Sequence, residues 1–127
     1  MSKYITVKDN REFSLAYRRG KSCVSPVLVT YALKNRTGGL RYGITTGKKV
    51  GNAVRRSRAR RVIRASYYSL FDDIKPGFDL IFVARGKTPH VKMQVVHKAM
   101  RQQLSSMGLL NRQGNGDRNE KDTSRTD

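Results

Sequence analysis

The chain is poor in acid, in cysteine and in long apolar runs. Only 9 of its 127 residues are Asp or Glu, against 27 Lys or Arg, for a formal net charge of +18. The single cysteine, Cys23, excludes an internal disulfide. Beside Val24 it reads as a buried strand residue, not a reactive thiol, and it fits a reducing, cytoplasmic setting. There is no tryptophan and no apolar stretch long enough to span a bilayer. The opening segment, MSKYITVKDNREF, lacks the apolar centre of a secretory signal. His90 and His97 stand seven residues apart with no Cys, Asp or Glu cluster to join them, so the expectation is no metal site. Asp72 and Asp73 are adjacent in a turn and Asp79 opens a strand. That is not the converging acid set of a two-metal nuclease. Asp73 or Asp79 is expected at most to pair with an arginine. No protein-based catalytic centre is expected.

Positive charge is what remains, and it is unevenly placed. The tail from Asn111 holds four basic and four acidic residues, so the whole excess sits on residues 1–110. That body is expected to be one domain, followed by a disordered polar tail over 111–127. A compact body so charged attracts nucleic acid. The densest stretch is GKKVGNAVRRSRARRVIR, Gly47 to Arg64, with arginines at 55, 56, 58, 60, 61 and 64. At about 100° per residue, a helix from Ala53 to Leu70 or Phe71 puts Ala59, Val62, Ile63, Ser66 and Leu70 on one side. Arg58, Arg60, Arg61 and Arg64 fan across the other. Asn52 is the expected N-cap, and the first-turn amides beyond it, preceded by Lys48 and Lys49, suit phosphate. A merely solvated basic helix is the bland alternative. It is disfavoured because like charges three and four apart repel until a polyanion neutralises them. An anionic membrane is disfavoured too, since the apolar side carries alanine and serine and lacks the large aromatics of an interfacial anchor.

The rest of the chain alternates helix and strand. A helix is expected from Arg11 to Arg19, capped by Asp9 or Asn10 and stopped by Gly20. Phe13, Ala16 and Tyr17 share a face. Both rings are either core anchors or the border of a groove. In a groove they would stack on bases while Arg18, Arg19 and Lys21 hold the backbone. Val24–Leu33 reads as a strand and Leu40–Thr46 as its antiparallel hairpin partner, with Arg41 and Tyr42 on opposite faces. Phe78–Ala84 reads as a strand inside the sheet. A last helix between Pro89 and Met107 carries the stripe Met93, Val96, Met100, Leu104 and Met107. The order is α-β-β-α-β-α, an α+β sandwich on a small central sheet. A strand, not a short helix, precedes the arginine helix, which argues against a sequence-specific DNA reader.

Three features carry a family resemblance: Phe13, Tyr17 and Gly20 at their spacing; the strand that reaches Tyr31; and RYGITTGKKVGNAVRRSRARRVIR followed by DLIFVAR. Over about residues 8–110 the chain resembles the protein subunit of bacterial ribonuclease P. The resemblance implies an α/β sandwich with a left-handed β-α-β crossover. It implies a non-catalytic subunit, one per catalytic RNA, that binds the 5′ leader of precursor tRNA. The RNA carries the metal-dependent cleavage. No cofactor is expected on the protein alone; Mg2+ is expected in the holoenzyme, held mainly by RNA. By resemblance, Phe13, Tyr17 and Tyr31 line the leader cleft. Lys48, Lys49, Asn52, Arg56, Arg58, Arg60, Arg61 and Arg64 match the family's basic block. Arg18, Lys21, Arg41, Arg55 and Ser57 complete the expected RNA-contacting set. Ser57 departs from the asparagine common in the family and offers a hydroxyl in place of an amide. The alternatives are an RNA-stabilising, ribosome-associated protein and a self-sufficient protein ribonuclease.

Overall fold

The computed structural model describes residues 4–111. The expected polar tail, apart from Asn111, lies outside them. The elements in chain order are β1 (Ile5–Thr6), α1 (Asn10–Arg19), β2 (Lys21–Ser25), β3 (Leu28–Lys34), β4 (Arg41–Thr45), α2 (Ala53–Leu70), β5 (Phe78–Ala84) and α3 (Met93–Ser106). The fold is mixed α+β, as expected, with two strands more than the sequence reading contained.

The five strands run in the order β1-β4-β5-β3-β2. β5 is therefore central, parallel to β4 and antiparallel to β3. This corrects the hairpin expected between Val24–Leu33 and Leu40–Thr46. Those strands never pair, because β5 lies between them. The connecting residues wrap around its start: the Asn35 amide donates to the Gly77 carbonyl (2.9 Å) and the Gly77 amide donates to Gly39 (3.0 Å). Six residues easily step across two strand spacings of about 4.8 Å. The true hairpin is β2–β3, with Val24 opposite Val29 and Ser25 opposite Leu28. Its turn hides inside the apolar run, where the Leu28 amide donates to Ser25 Oγ (3.2 Å).

Alternation along the strands gives the sheet two unequal faces. On one, Leu28, Leu80 and Phe82 pack with Ile63, Tyr67, Val96, Met100 and Leu104 from α2 and α3 into the main core. The buried side of α2 contains every residue expected there, plus Tyr67. The α3 stripe is only partly as expected: Met93 is exposed and Gln103 is buried. Gln103 goes inside because its amide is satisfied there. Its Oε1 accepts from Thr30 Oγ1 (2.6 Å) and its Nε2 donates to the Leu28 carbonyl (2.8 Å), so α3 is bonded directly to β3. Cys23 is half-buried in β2, its Sγ 3.3 Å from Ser106 Oγ.

Among the described residues, the other face carries only α1 and a small cluster: Val7, Ala16 and Ile81, with Phe13, Tyr31, Leu33 and Val83 half-buried around it. Asp9 caps α1, its side chain accepting from the Arg11 amide (2.9 Å). Gly20 lets the helix end press onto β3, since a Cβ there would stand 2.9 Å from the Ala32 carbonyl oxygen. Helix α1 is thus a narrow cover on a broad sheet, and it leaves an open flank.

Candidate nucleic-acid interface

That flank is a groove of about 320 Å³, lined by Asn10, Phe13, Ser14 and Tyr17 from α1 and by Ile44 and Thr45 from β4. Gly43 lets α1 sit close to the sheet here. The Phe13 ring lies so close that a Cβ at position 43 would meet Phe13 Cζ at 2.5 Å. Tyr17 is 40% exposed and meets Tyr31 edge to face, centroids 5.0 Å apart. Tyr31 faces the same way because β3 alternates, with Leu28, Thr30 and Ala32 turned to the main core. The three aromatics expected together are brought together. Of the two readings open for the rings, Phe13 is an anchor that also borders the groove, and Tyr17 is a border residue.

The groove runs into the basic helix through the end of β4. Thr45 lines the groove, and the next residue, Thr46, accepts from Arg60 Nη2 (2.7 Å). Then come Lys48 and Lys49, both exposed, on a 3-10 turn (Lys48–Val50) pinned by buried Val50. Asn52 caps α2 as expected, its Oδ1 accepting from the Arg55 amide (3.0 Å).

The arginines divide into two kinds. Arg61 points directly away from the core on the helical wheel. Arg61 and Arg55 are exposed and have no side-chain hydrogen bond among the described residues, and the same holds for Ser57. Arg58, Arg56 and Arg60 are partly committed. Arg58 donates through Nε to the Pro89 carbonyl (2.8 Å) and through Nη2 to that of Val91 (3.2 Å). Arg56 Nε donates to the Gly51 carbonyl (3.0 Å). Arg64 is half-buried beside Tyr68.

Arg18 is exposed on the last turn of α1, one residue after Tyr17. Two other expected contacts fall elsewhere. Lys21 is opposite Ala32, whose side chain faces the main core, so the register puts it on the sheet face away from the groove. Arg41 is turned inward. Its Nε and Nη2 donate to the two oxygens of Asp79 (2.8 and 2.6 Å), and Nη2 also donates to Glu12 (2.7 Å). The hydrogen bonds to Asp79 and then Glu12 raise its pKa still further above the usual guanidinium value. Asp79 does pair with an arginine, as anticipated. Sequence reasoning missed Asn10, Ser14, Thr45 and Thr46. Polar residues at a helix start and a strand end carry no periodic signal, and only the fold brings them to one edge.

Among the described residues, no three His, Cys, Asp or Glu side chains are grouped to hold a metal ion, and no helix is long and apolar enough to cross a membrane. Glu12 and Asp79 are held by Arg41.

A family model described as Ribonuclease P matches residues 1–108. The ribonuclease P protein component of Clostridium botulinum is 39% identical over 106 residues, covering 83% of this chain and 96% of the relative. That of Oceanobacillus iheyensis is 36% identical over 111 residues, covering 87% and 92%. Among solved structures, the RNase P protein of Staphylococcus aureus superposes with a TM-score of 0.75 at 27% identity, covering 84% of this chain and 97% of that one. The Thermotoga maritima protein gives 0.69 at 27% identity, covering 76% and 92%.

Proposed function

The chain belongs to the ribonuclease P protein component family, and on that premise we propose that it binds the 5′ leader of precursor tRNA and assists an RNA partner in removing it. The observation that carries this reading is the junction at Thr45–Thr46. There a groove bordered by Phe13 and Tyr17 adjoins the basic helix, whose Arg60 donates to Thr46. An unpaired strand lies in the groove with bases against Tyr17 and Tyr31. Such stacking is worth about 1–3 kcal/mol per base and tolerates any sequence. The phosphates run toward Lys48, Lys49 and the α2 N-terminus. Arg55, Arg61 and the uncommitted edges of Arg58, Arg60 and Arg64 face the catalytic RNA or the cleavage region as bidentate phosphate forks.

Bond breaking is assigned to the RNA, and Mg2+ to RNA ligands. The protein contributes position: the leader enters the groove and the cleavage site is held beside α2. One protein per RNA, in a reducing cytoplasm, completes the reading. The test is reconstitution. Ribonuclease P RNA is assayed on precursor tRNA with and without this chain, beside a mature tRNA control. The expected result is faster cleavage and tighter binding of the leader-bearing substrate only. Equal effects on precursor and mature tRNA would favour a general RNA-stabilising protein. Cleavage by the purified chain without RNA would favour a self-sufficient ribonuclease.

A further inference from the structure

Both walls of the groove are tied together from below. One wall is α1, through Asn10, Phe13, Ser14 and Tyr17; the other is β4, through Ile44 and Thr45. Arg41 begins β4 and Glu12 lies in the first turn of α1, and the two are joined at 2.7 Å. Arg41 is itself held. It is the register partner of Asp79 on β5 and grips that carboxylate with two parallel bonds. Asp79 Oδ1 also accepts from Asn35 Nδ2 (2.9 Å), which fixes the carboxylate to the loop around the start of β5. The guanidinium is 19% exposed and Asp79 10%, so the fork is largely shielded from water.

Besides this bridge, α1 is attached by the Phe13 ring over Gly43 and by the small cluster of Ala16, Val7 and Ile81, and Gly20 presses its far end onto β3. Two carboxylates also outnumber the one guanidinium, so the site has no attraction for a phosphate. We propose that Arg41 is a positioning residue: by bridging Glu12 on α1 to Asp79 on β5 it sets the height of α1 over the sheet, and so the width of the groove. This rests on the leader-binding reading above.

Electrostatics makes the test unusually sharp, because removing an acid from an RNA-binding protein ordinarily tightens binding. The intact chain and four variants are titrated with a fluorescent single-stranded RNA of leader length, and reconstituted holoenzyme is titrated with precursor and mature tRNA. Asp73→Asn adds one positive unit away from α1, and binding is expected to be unchanged or tighter. Glu12→Ala adds the same charge but cuts the bridge. It is expected to weaken leader binding by about tenfold, equivalent to about 1.4 kcal/mol. Glu12→Gln keeps an acceptor and is expected to recover most of that loss. Arg41→Lys keeps the charge and loses the planar fork. Its expected result is weaker leader binding with an unchanged salt slope, which keeps the test decisive if Glu12→Ala unfolds. Binding by Glu12→Ala as tight as wild type, or by Arg41→Lys undiminished, overturns the proposal. If wild type itself does not distinguish precursor from mature tRNA, the leader reading fails first. If it does and the variants do too, only the positioning role fails.

Discussion

Replacing Gly43 with alanine should destabilise this protein, against the general rule for glycine in a strand. Gly-to-Ala changes in strand interiors ordinarily stabilise by roughly 0.5–1 kcal/mol, because the unfolded chain loses freedom. At Gly43 the new Cβ would stand 2.5 Å from Phe13 Cζ, 2.9 Å from Phe13 Cε2 and 3.2 Å from Ile81 Cδ1. Ile81 is fully buried and cannot retreat, so the Phe13 ring and the start of α1 must lift. Overpacking of this kind costs about 1–3 kcal/mol. Taking the middle of each range, the net loss is about 1 kcal/mol, or roughly 4–8 °C in Tm for a domain of this size. Equilibrium denaturation followed by far-UV circular dichroism measures it. The decisive control is Phe13→Ala, which empties the space. In that background Gly43→Ala should turn neutral or stabilising. A stabilising Gly43→Ala in the wild-type background would refute the reasoning, as would an unchanged penalty in the Phe13→Ala background.

Thr30→Val leaves buried Gln103 Oε1 without its donor and should cost about 1–3 kcal/mol by urea titration. Tyr67 is fully buried, and its hydroxyl has no hydrogen-bond partner among the described residues. Tyr67→Phe should therefore raise stability, by roughly 1 kcal/mol, in thermal melts. Alkaline pH should unfold the protein through the same aromatic cluster. The hydrogen bond with Tyr42, then desolvation, pushes Tyr68 up to about 12, and burial raises Tyr67 further. A raised folded pKa means stability that is full below the unfolded value near 10 and is lost as pH climbs through about 12. Tyrosinate absorbance should rise together with loss of circular dichroism. Arg61→Ala should lower the log–log salt slope of RNA binding by about one without moving Tm. Arg58→Ala should lower Tm as well, because it releases the carbonyls of Pro89 and Val91.

Local signals were readable where one element decides them. The cap at Asn52, the buried side of α2 and the stop at Gly20 each depend on a few neighbouring residues, and all three stand where periodicity and capping chemistry put them. The grouping of Phe13, Tyr17 and Tyr31 was readable too, from the spacing along α1 and from the family resemblance. Strand order was not. Lys34–Gly39 looks like a hairpin turn by composition, and nothing within it reveals that a strand forty residues later will insert between its arms. The Ser25 turn was hidden for the opposite reason, since Val24, Val27 and Val29 read as one unbroken strand.

The same limit explains the arginines. In sequence, Arg41, Arg58 and Arg61 are equivalent cations on a basic protein. In the fold they do three different things, and the difference is made by partners 29 to 38 residues away. Arg41 is spent on two carboxylates, Arg58 shares itself with a loop, and only Arg61 is wholly free. A chain with nine acids and 27 bases has few carboxylates to neutralise its arginines, so it falls back on backbone carbonyls and hydroxyls to fix them. Such neutral acceptors orient a guanidinium without cancelling its charge. Arg56, Arg58 and Arg60 are thus held in place and still positive, which is the condition a rigid phosphate-binding surface requires. Where an arginine meets real carboxylates, at Glu12 and Asp79, the charge is cancelled and the contact becomes architecture. The number of phosphates this protein neutralises should accordingly follow the arginines that lack an acidic partner, not the arginines its sequence contains.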